Sequence, residues 1–122
     1  MYNLVIFVSG NGTTLQTIID NINSGELKAK ISLVVSSNPD AYALTRAKLN
    51  NIETYVINNS NYQEADLELI SELSKYEIDL IVLAGYLKMI GTNLIDNYTI
   101  INTHPALLPK FGGARNVWYE CS

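Results

Sequence analysis

The sequence has almost no cysteine, no long apolar run and a deficit of basic residues. Cys121 is the one cysteine in 122 residues, which excludes an intrachain disulfide and a cysteine-rich metal site and suits a reducing compartment. No apolar run approaches the ~20 residues of a transmembrane helix. The first predicted strand begins too near Met1 to leave room for a signal peptide. We therefore expect a cytoplasmic protein without a membrane segment.

The charge balance is acidic. Twelve Asp and Glu residues stand against eight Lys and Arg residues, for a formal net charge of −4. Nucleic acids and anionic membranes are attracted by basic surfaces, so neither is an expected partner. An anionic ligand would have to be held by local features instead, such as backbone amides at the start of a helix.

Apolar runs alternate with segments of helical period, and the length of the chain predicts a single domain. Most of the runs show no polar alternation, which is typical of strands buried on both faces. Strands are predicted at residues 4–8, 31–35, 54–57, 79–84 and 98–102. Helices are predicted at residues 13–23, 41–50, 61–76 and 91–97. This alternation indicates right-handed βαβ units, and hence an α/β fold with a Rossmann-like parallel sheet and helices on both faces.

The third predicted helix can begin at a Ser60 or Asn61 N-cap. Its apolar spacing predicts that Leu67, Ile70 and Leu73 face the core, with Leu69 as a further candidate. Three carboxylates lie within or beside helices and away from the strand ends. They are expected to be surface residues or caps rather than catalytic groups: Asp20, Asp66 and Asp79.

Ligands of such sheets bind beyond the carboxyl ends of the strands, and three segments follow strands there. The first is the glycine loop, residues 9–14, which reads Ser-Gly-Asn-Gly-Thr-Thr and joins the first strand to the first helix. Its spacing matches neither the dinucleotide fingerprint nor the ATP-binding P-loop. The amides at the helix start could bind a phosphate, or the segment could be a plain tight turn.

The other two segments follow the fourth and fifth strands. The apolar loop, residues 85–90, could line a pocket for a flat heterocycle or form core under the next helix. Asn102 and His104 are two residues apart, so their side chains would lie on the same side of an extended strand. An amide beside an imidazole could stabilise an oxyanion while the imidazole transfers protons. The alternative is a histidine that is bonded to backbone at a strand end.

Together these segments resemble phosphoribosylglycinamide formyltransferase from residue 1 to residue 113. The matching motifs are Val8-Ser-Gly-Asn-Gly-Thr-Thr-Leu-Gln16, Val35-Ser-Ser-Asn38 with Ala41 and Arg46-Ala47, Val82-Leu-Ala-Gly-Tyr86, and Asn102-Thr-His-Pro-Ala-Leu-Leu-Pro109. The last motif is shared with methionyl-tRNA formyltransferase and formyltetrahydrofolate deformylase. The first motif favours the purine enzyme, because those relatives do not begin with this glycine loop.

The resemblance implies transfer of a formyl group from 10-formyltetrahydrofolate to the amine of glycinamide ribonucleotide, without a metal. It assigns the ribonucleotide phosphate to Gly12, Thr13 and Thr14, and the folate pterin to a pocket built largely from backbone groups. The residues of that pocket are Leu87, Lys88, Met89 and Ile90, with Asn102 beside them. Asn102 would also polarise the formyl oxygen, and His104 would be the proton-transferring catalytic residue.

The end of the sequence departs from the family. Relatives continue with an orienting aspartate, further strands and a closing helix, so we expect residues 1–113 to be the N-terminal part of the enzyme, inactive alone. Synonymous codons for residues 114–122 can be chosen so that another frame reads Gly-Met-Tyr-Gly-Met-Asn-Val-His, which resembles the relatives. We therefore expect residues 114–122 to be an out-of-frame tail. The alternatives are a noncatalytic phosphate-binding fragment, an unstable pseudogene product, or another formyl-folate enzyme.

Overall fold

The computed structural model of the chain describes residues 2–103, and strands and helices alternate along them. The strands are β1 (Tyr2–Val8), β2 (Ala29–Ser36), β3 (Thr54–Val56), β4 (Leu80–Leu83) and β5 (Ile100–Asn102). The helices are α1 (Thr13–Asn23), α2 (Tyr42–Leu49), α3 (Tyr62–Leu73) and α4 (Thr92–Asn97). All nine elements correspond to predicted ones, with ends that shift by a few residues.

The five strands form one parallel sheet in the order β3-β2-β1-β4-β5. The chain therefore builds the sheet outward from β1 through β2 to β3, and then returns to the other side of β1 for β4 and β5. The strand order reverses between β1 and β4, which is the topological switch point of the sheet. The glycine loop follows β1 and the apolar loop follows β4, so the two loops flank this point.

The core lies on both faces of the sheet, because the central strand β1 is buried on both. Leu4, Ile6 and Val8 pack on one face with residues of α1 and α2. Val5 and Phe7 pack on the other face with residues of α3 and α4. The predicted parallel sheet with helices on both faces is confirmed. No helix within residues 2–103 has the length and apolar character needed to span a membrane.

Helix α3 confirms one of its predicted caps and corrects one core residue. The Asn61 side chain accepts hydrogen bonds from Gln63 N at 2.8 Å and Glu64 N at 3.2 Å. Leu69 and Leu73 are fully buried, but Leu67 is 64 % exposed, so its predicted core position is wrong. Residues four apart lie on one face of a helix, and the face that contains Leu69 and Leu73 turns Leu67 toward solvent.

Candidate functional site

The glycine loop turns at Gly12, which is the N-cap of α1 and has a left-handed backbone with φ 83° and ψ 26°. A Cβ atom at this position would lie 2.6 Å from the Cβ of Ala43 and 2.8 Å from its Cα. Only glycine combines this φ with this close approach. The loop is held against α2 by a further contact, since Ala43 N donates to Gly10 O at 3.1 Å.

The start of α1 presents free backbone amides. The first intrahelical bond runs from Gln16 N to Gly12 O at 2.9 Å, and no side chain caps the helix. The N–H groups of Thr13, Thr14 and Leu15 find no acceptor within residues 2–103. Thr13 and Thr14 are exposed, so their amides can be reached from outside. Free amides and the positive end of the helix dipole make this position favourable for an anion.

Ser9 connects the glycine loop to the apolar loop. Its hydroxyl lies 2.7 Å from the hydroxyl of Ser37, which follows β2, and accepts a hydrogen bond from Leu87 N at 3.0 Å. The side chain is buried where β1 ends. One hydroxyl thus fixes the ends of three neighbouring segments. Sequence reasoning did not single out Ser9, although a hydroxyl directly after a buried strand was a possible signal.

The apolar loop divides between core and surface. Tyr86 packs edge-to-face on Phe7 with ring centroids 5.2 Å apart, and Ile90 packs against the same core cluster. Leu87 is 82 % exposed and Met89 is 66 % exposed. Burial, together with the charge of Glu68, raises the pKa of Tyr86 to about 12, so its phenol is neutral at physiological pH. The core interpretation is therefore confirmed for Tyr86 and Ile90, and the pocket for a flat heterocycle stays a prediction for the exposed part of the loop.

The exposed part of the apolar loop also presents free backbone groups. The N–H groups of Lys88, Met89 and Ile90 have no acceptor within the described part of the chain. Tyr86 and Lys88 line a cavity of about 230 Å³. Its other wall comes from the segments after β2 and β3. A planar polar ligand could use these backbone donors while it contacts the apolar side chains.

Asn102 lies at the end of β5, in register with Leu83 of β4, and is buried. Thr103 follows it and donates to Leu83 O from both its backbone N, at 3.2 Å, and its hydroxyl, at 3.1 Å. These bonds place Asn102 one strand away from the switch point, on the side of the apolar loop. His104 lies outside the described residues, and its predicted role stays a prediction.

Asp66 is a buried cap and not a surface residue. Its carboxylate accepts hydrogen bonds from Asn93 N at 3.0 Å, Asn93 Nδ2 at 2.9 Å and Leu94 N at 3.0 Å, and so caps α4 from the neighbouring helix. A Cβ atom at Gly91 would overlap this carboxyl group and lie 2.7 Å from its Oδ2. The end of the apolar loop is thereby fixed to α3. Of the two predicted alternatives for Asp66, the cap is confirmed and the surface position is wrong.

The other two carboxylates singled out from the sequence make hydrogen bonds of their own. Asp79 accepts from Asn3 N at 2.7 Å, and Asp20 accepts from the Gln16 side-chain Nε2, one turn earlier in α1, at 3.0 Å. In residues 2–103 the Asp, Glu, His and Cys side chains form no group of three that could hold a metal ion.

Glu68 organises the loop that follows β3. Its carboxylate accepts hydrogen bonds from the Tyr55 hydroxyl and from the backbone and side-chain amides of Asn58 and Asn59. Burial alone would raise the pKa of Glu68, but these hydrogen bonds outweigh it and lower the pKa. Burial, the hydrogen bond to Glu68 and the charges of Glu68 and Glu72 raise the pKa of Tyr55 to about 12.

A doubly wound parallel sheet with a glycine loop and an apolar loop at its switch point is typical of α/β domains that bind a ligand beyond the carboxyl ends of the strands. The family model described as formyl transferase matches residues 2–119. The chain is 43 % identical to a phosphoribosylglycinamide formyltransferase of Haemophilus influenzae, over 93 % of this chain and 56 % of that protein. It is 38 % identical to the protein of the same name from Escherichia coli, over 91 % of this chain and 55 % of that protein. The chain belongs to the formyl transferase family.

Solved structures agree with this membership. The fold superposes on the crystal structure of glycinamide ribonucleotide transformylase 1 from Geobacillus kaustophilus with a TM-score of 0.83. That comparison has 37 % identity and covers 91 % of this chain and 62 % of the other. The corresponding protein from Symbiobacterium toebii gives a TM-score of 0.82 at 31 % identity, over 91 % of this chain and 55 % of the other. The chain therefore spans a little over half the length of the curated relatives it matches.

Proposed function

We propose that this chain carries the nucleotide and folate subsites for transfer of a formyl group from 10-formyltetrahydrofolate to the amine of glycinamide ribonucleotide, a step of de novo purine synthesis. The observation that supports this most is the pair of loops at the switch point. One loop presents free amides at a helix start, and the other presents apolar side chains with free backbone donors. Family membership and the names of the relatives favour this reaction over other uses of such a site.

The glycine loop is the proposed subsite for the ribonucleotide phosphate. The backbone of Gly12 and the amides of Thr13 and Thr14 would surround phosphate oxygens, and the hydroxyls of the two threonines lie beside them in the sequence. A helix start supplies both hydrogen-bond donors and a positive dipole end to a bound phosphate. The net charge of −4 makes such a local device necessary, because the surface as a whole repels anions.

The apolar loop is the proposed subsite for the pterin of the folate. Leu87 and Met89 offer exposed apolar surface, which is stabilised when a flat ring covers it. The backbone groups of Lys88 and Ile90 can pair with the donors and acceptors on the edge of that ring. Lys88 also lines the adjacent cavity. As the resemblance implies, no metal ion takes part in the proposed reaction.

The chemical step is proposed to rest on Asn102 and His104. The amine of the ribonucleotide attacks the formyl carbon, and negative charge develops on the formyl oxygen. The Asn102 amide donates a hydrogen bond to that oxygen, which stabilises the charge. His104 accepts the proton that the amine loses and returns one to the departing folate nitrogen. Its unperturbed pKa of about 6.5 suits both transfers near neutral pH.

The test is ligand titration of the 122-residue chain, followed by amide resonances. Glycinamide ribonucleotide should shift the amide signals of Thr13 and Thr14, and tetrahydrofolate should shift those of Lys88 and Met89. The amide of Ser74, the C-cap of α3, is the internal control. Its signal should not shift with either ligand. Absence of any shift at Thr13 and Thr14 with millimolar glycinamide ribonucleotide contradicts the proposal.

A second measurement separates the proposed reaction from the noncatalytic alternative. Adenosine 5′-monophosphate carries a phosphate and a ribose but no glycinamide amine. If it shifts Thr13 and Thr14 as strongly as glycinamide ribonucleotide does, the loop is a general phosphate site. Formyl transfer is then measured directly, as formation of tetrahydrofolate in the presence of both substrates, and the 122-residue chain is expected to show none by itself. Turnover with another amine acceptor, and none with glycinamide ribonucleotide, would favour a different formyl-folate enzyme.

A further inference from the structure

Arg46 of α2 is bound to the glycine loop through all three of its guanidinium nitrogens. Its Nε donates to Asn11 O at 2.8 Å, and its Nη2 donates to Asn11 Oδ1 at 3.1 Å. The remaining nitrogen, Nη1, donates to Gln16 Oε1 at 3.3 Å. A single side chain of α2 thus donates hydrogen bonds both to Asn11, the loop residue before Gly12, and to the first turn of α1. The planar guanidinium can make such a fork, whereas a lysine ammonium cannot.

The charge of Arg46 is not paired with any carboxylate of residues 2–103. Its hydrogen-bond partners are a carbonyl and two side-chain amides, all of them neutral. The face of the Tyr42 ring lies 4.9 Å from the guanidinium carbon. The one ion pair within residues 2–103 joins Lys75 and Glu72, on a different helix. A full positive charge is therefore held in place beside the glycine loop.

The grip on Asn11 fixes the direction of the helix-start amides. Both the backbone oxygen and the side chain of Asn11 are held by Arg46, and Gly10 O is held by Ala43 N. Gly12 turns immediately afterwards, so near to Ala43 that an added Cβ atom would lie 2.6 Å from the Ala43 Cβ. The N–H groups of Thr13 and Thr14 follow this turn, so their direction depends on where Asn11 is held.

We propose that Arg46 is a positioning residue of the phosphate subsite: it holds the glycine loop so that the amides of Thr13 and Thr14 converge, and it adds positive charge beside the bound phosphate. This inference rests on the proposed function, because it takes the glycine loop as the phosphate subsite. Neither the spacing of the motifs nor the predicted site residues assigned a role to Arg46. The contacts with Asn11 and Gln16 supply that role.

Three variants of the full chain test the inference: Arg46→Met, Arg46→Lys and Lys48→Met. Lys48 is the matched control, because it is an exposed cation on the same helix, two residues further on and therefore on another face. Arg46→Met should weaken the affinity for glycinamide ribonucleotide about tenfold or more, as expected for loss of charge-assisted hydrogen bonds. Arg46→Lys keeps the charge but loses the planar set of guanidinium hydrogen bonds, and should weaken the affinity for glycinamide ribonucleotide nearly as much. Lys48→Met should leave the affinity unchanged within about twofold.

Two further readouts distinguish positioning from general destabilisation. Affinity for tetrahydrofolate should be unchanged in all three variants, because the apolar loop does not contact Arg46. Hydrogen exchange of the Gln16 amide, which donates to Gly12 O at 2.9 Å, should be faster without ligand in both Arg46 variants and unchanged in Lys48→Met. Methylguanidinium added to Arg46→Met should restore part of the affinity. Wild-type affinity in Arg46→Lys, with wild-type exchange at Gln16, overturns the inference.

Failure of the proposed function gives a different pattern. If the wild-type chain binds no glycinamide ribonucleotide but exchange at the Gln16 amide still rises in the Arg46 variants, Arg46 holds the loop and the ligand is wrong. If the wild-type chain binds the ribonucleotide and Arg46→Met binds it equally well, the proposed function stands and the role of Arg46 is refuted.

Discussion

Gly12 and Gly25 have nearly the same left-handed backbone, with φ of 83° and 85°, but very different surroundings. A Cβ atom at Gly25 would meet nothing within 4 Å, whereas one at Gly12 would lie 2.6 Å from the Cβ of Ala43. Alanine at Gly25 therefore costs only the backbone strain, about 1–2 kcal/mol. Alanine at Gly12 adds an overpacking cost of about 1–3 kcal/mol. We expect Gly12→Ala to lower the free energy of unfolding by about 1–3 kcal/mol more than Gly25→Ala.

The free energies of unfolding can be compared by urea denaturation followed by circular dichroism, with Gly10→Ala as a third variant. Gly10 has neither a positive φ nor a neighbour within 4 Å of an added Cβ, so its alanine variant should be within about 0.5 kcal/mol of wild type. Adding Ala43→Gly to Gly12→Ala removes the nearest contact atom and should recover part of the loss. Equal destabilisation of the Gly12→Ala and Gly25→Ala variants would refute the close approach between α2 and the glycine loop.

Three further predictions concern the cap of α4, the carboxylate that binds the loop after β3, and the core face of α3. Asp66→Ala leaves the Asn93 and Leu94 amides of α4 without their acceptor. In urea denaturation this variant should lower the free energy of unfolding by about 2–4 kcal/mol. The control variant Asp20→Ala, at an exposed carboxylate, should lower it by less than about 0.5 kcal/mol. The pKa of Glu68 is lowered in the folded chain, so its contribution is present above its unfolded pKa and is lost as pH falls through the folded value. Glu68→Gln should therefore flatten the fall in melting temperature as pH decreases below the ordinary range of a glutamate pKa, and an unchanged pH profile would contradict the contacts of this carboxylate. Leu69→Ala should lower the free energy of unfolding by about 2–5 kcal/mol, and Leu67→Ala should lower it by well under 1 kcal/mol. The reverse ranking would mean that Leu67 faces the core, as the sequence predicted.

The elements of the fold were predictable because β1, β2 and β4 are nearly continuous apolar runs. Such runs are typical of strands that are covered on both faces. The sequence was less informative about α3. Apolar spacing placed Leu67 inside, but the buried face of that helix includes the charged Asp66. A carboxylate is buried there because it accepts hydrogen bonds from backbone amides of α4. One of these donors, Asn93 N, lies 27 residues away in the chain. Local patterns contain no information about such a pairing.

The candidate site shows the same limit. The motifs predicted Gly12, Thr13 and Thr14 as a group, and the structure places them at an uncapped helix start. Ser9 and Arg46 were not predicted, because each acts through a contact with a segment 28 or more residues distant. Such contacts arise only when the sheet assembles. Residue types at strand ends predict where a ligand would bind. The side chains that support those residues are seen only in the folded structure.

The order of the strands also has a consequence for how the chain folds. The central strand β1 leaves the ribosome before the other four strands, yet one of its two edges is covered by β4, whose pairing begins only at Leu80. At that junction Asn3 N donates to the Asp79 carboxylate and Asp79 N donates to Asn3 O, across a separation of 76 residues. At about 5–20 residues per second, this edge stays open for several seconds of synthesis. A nascent chain that pauses between β3 and β4 therefore offers a bare apolar strand to neighbouring chains, and chaperone capture should be strongest in that interval.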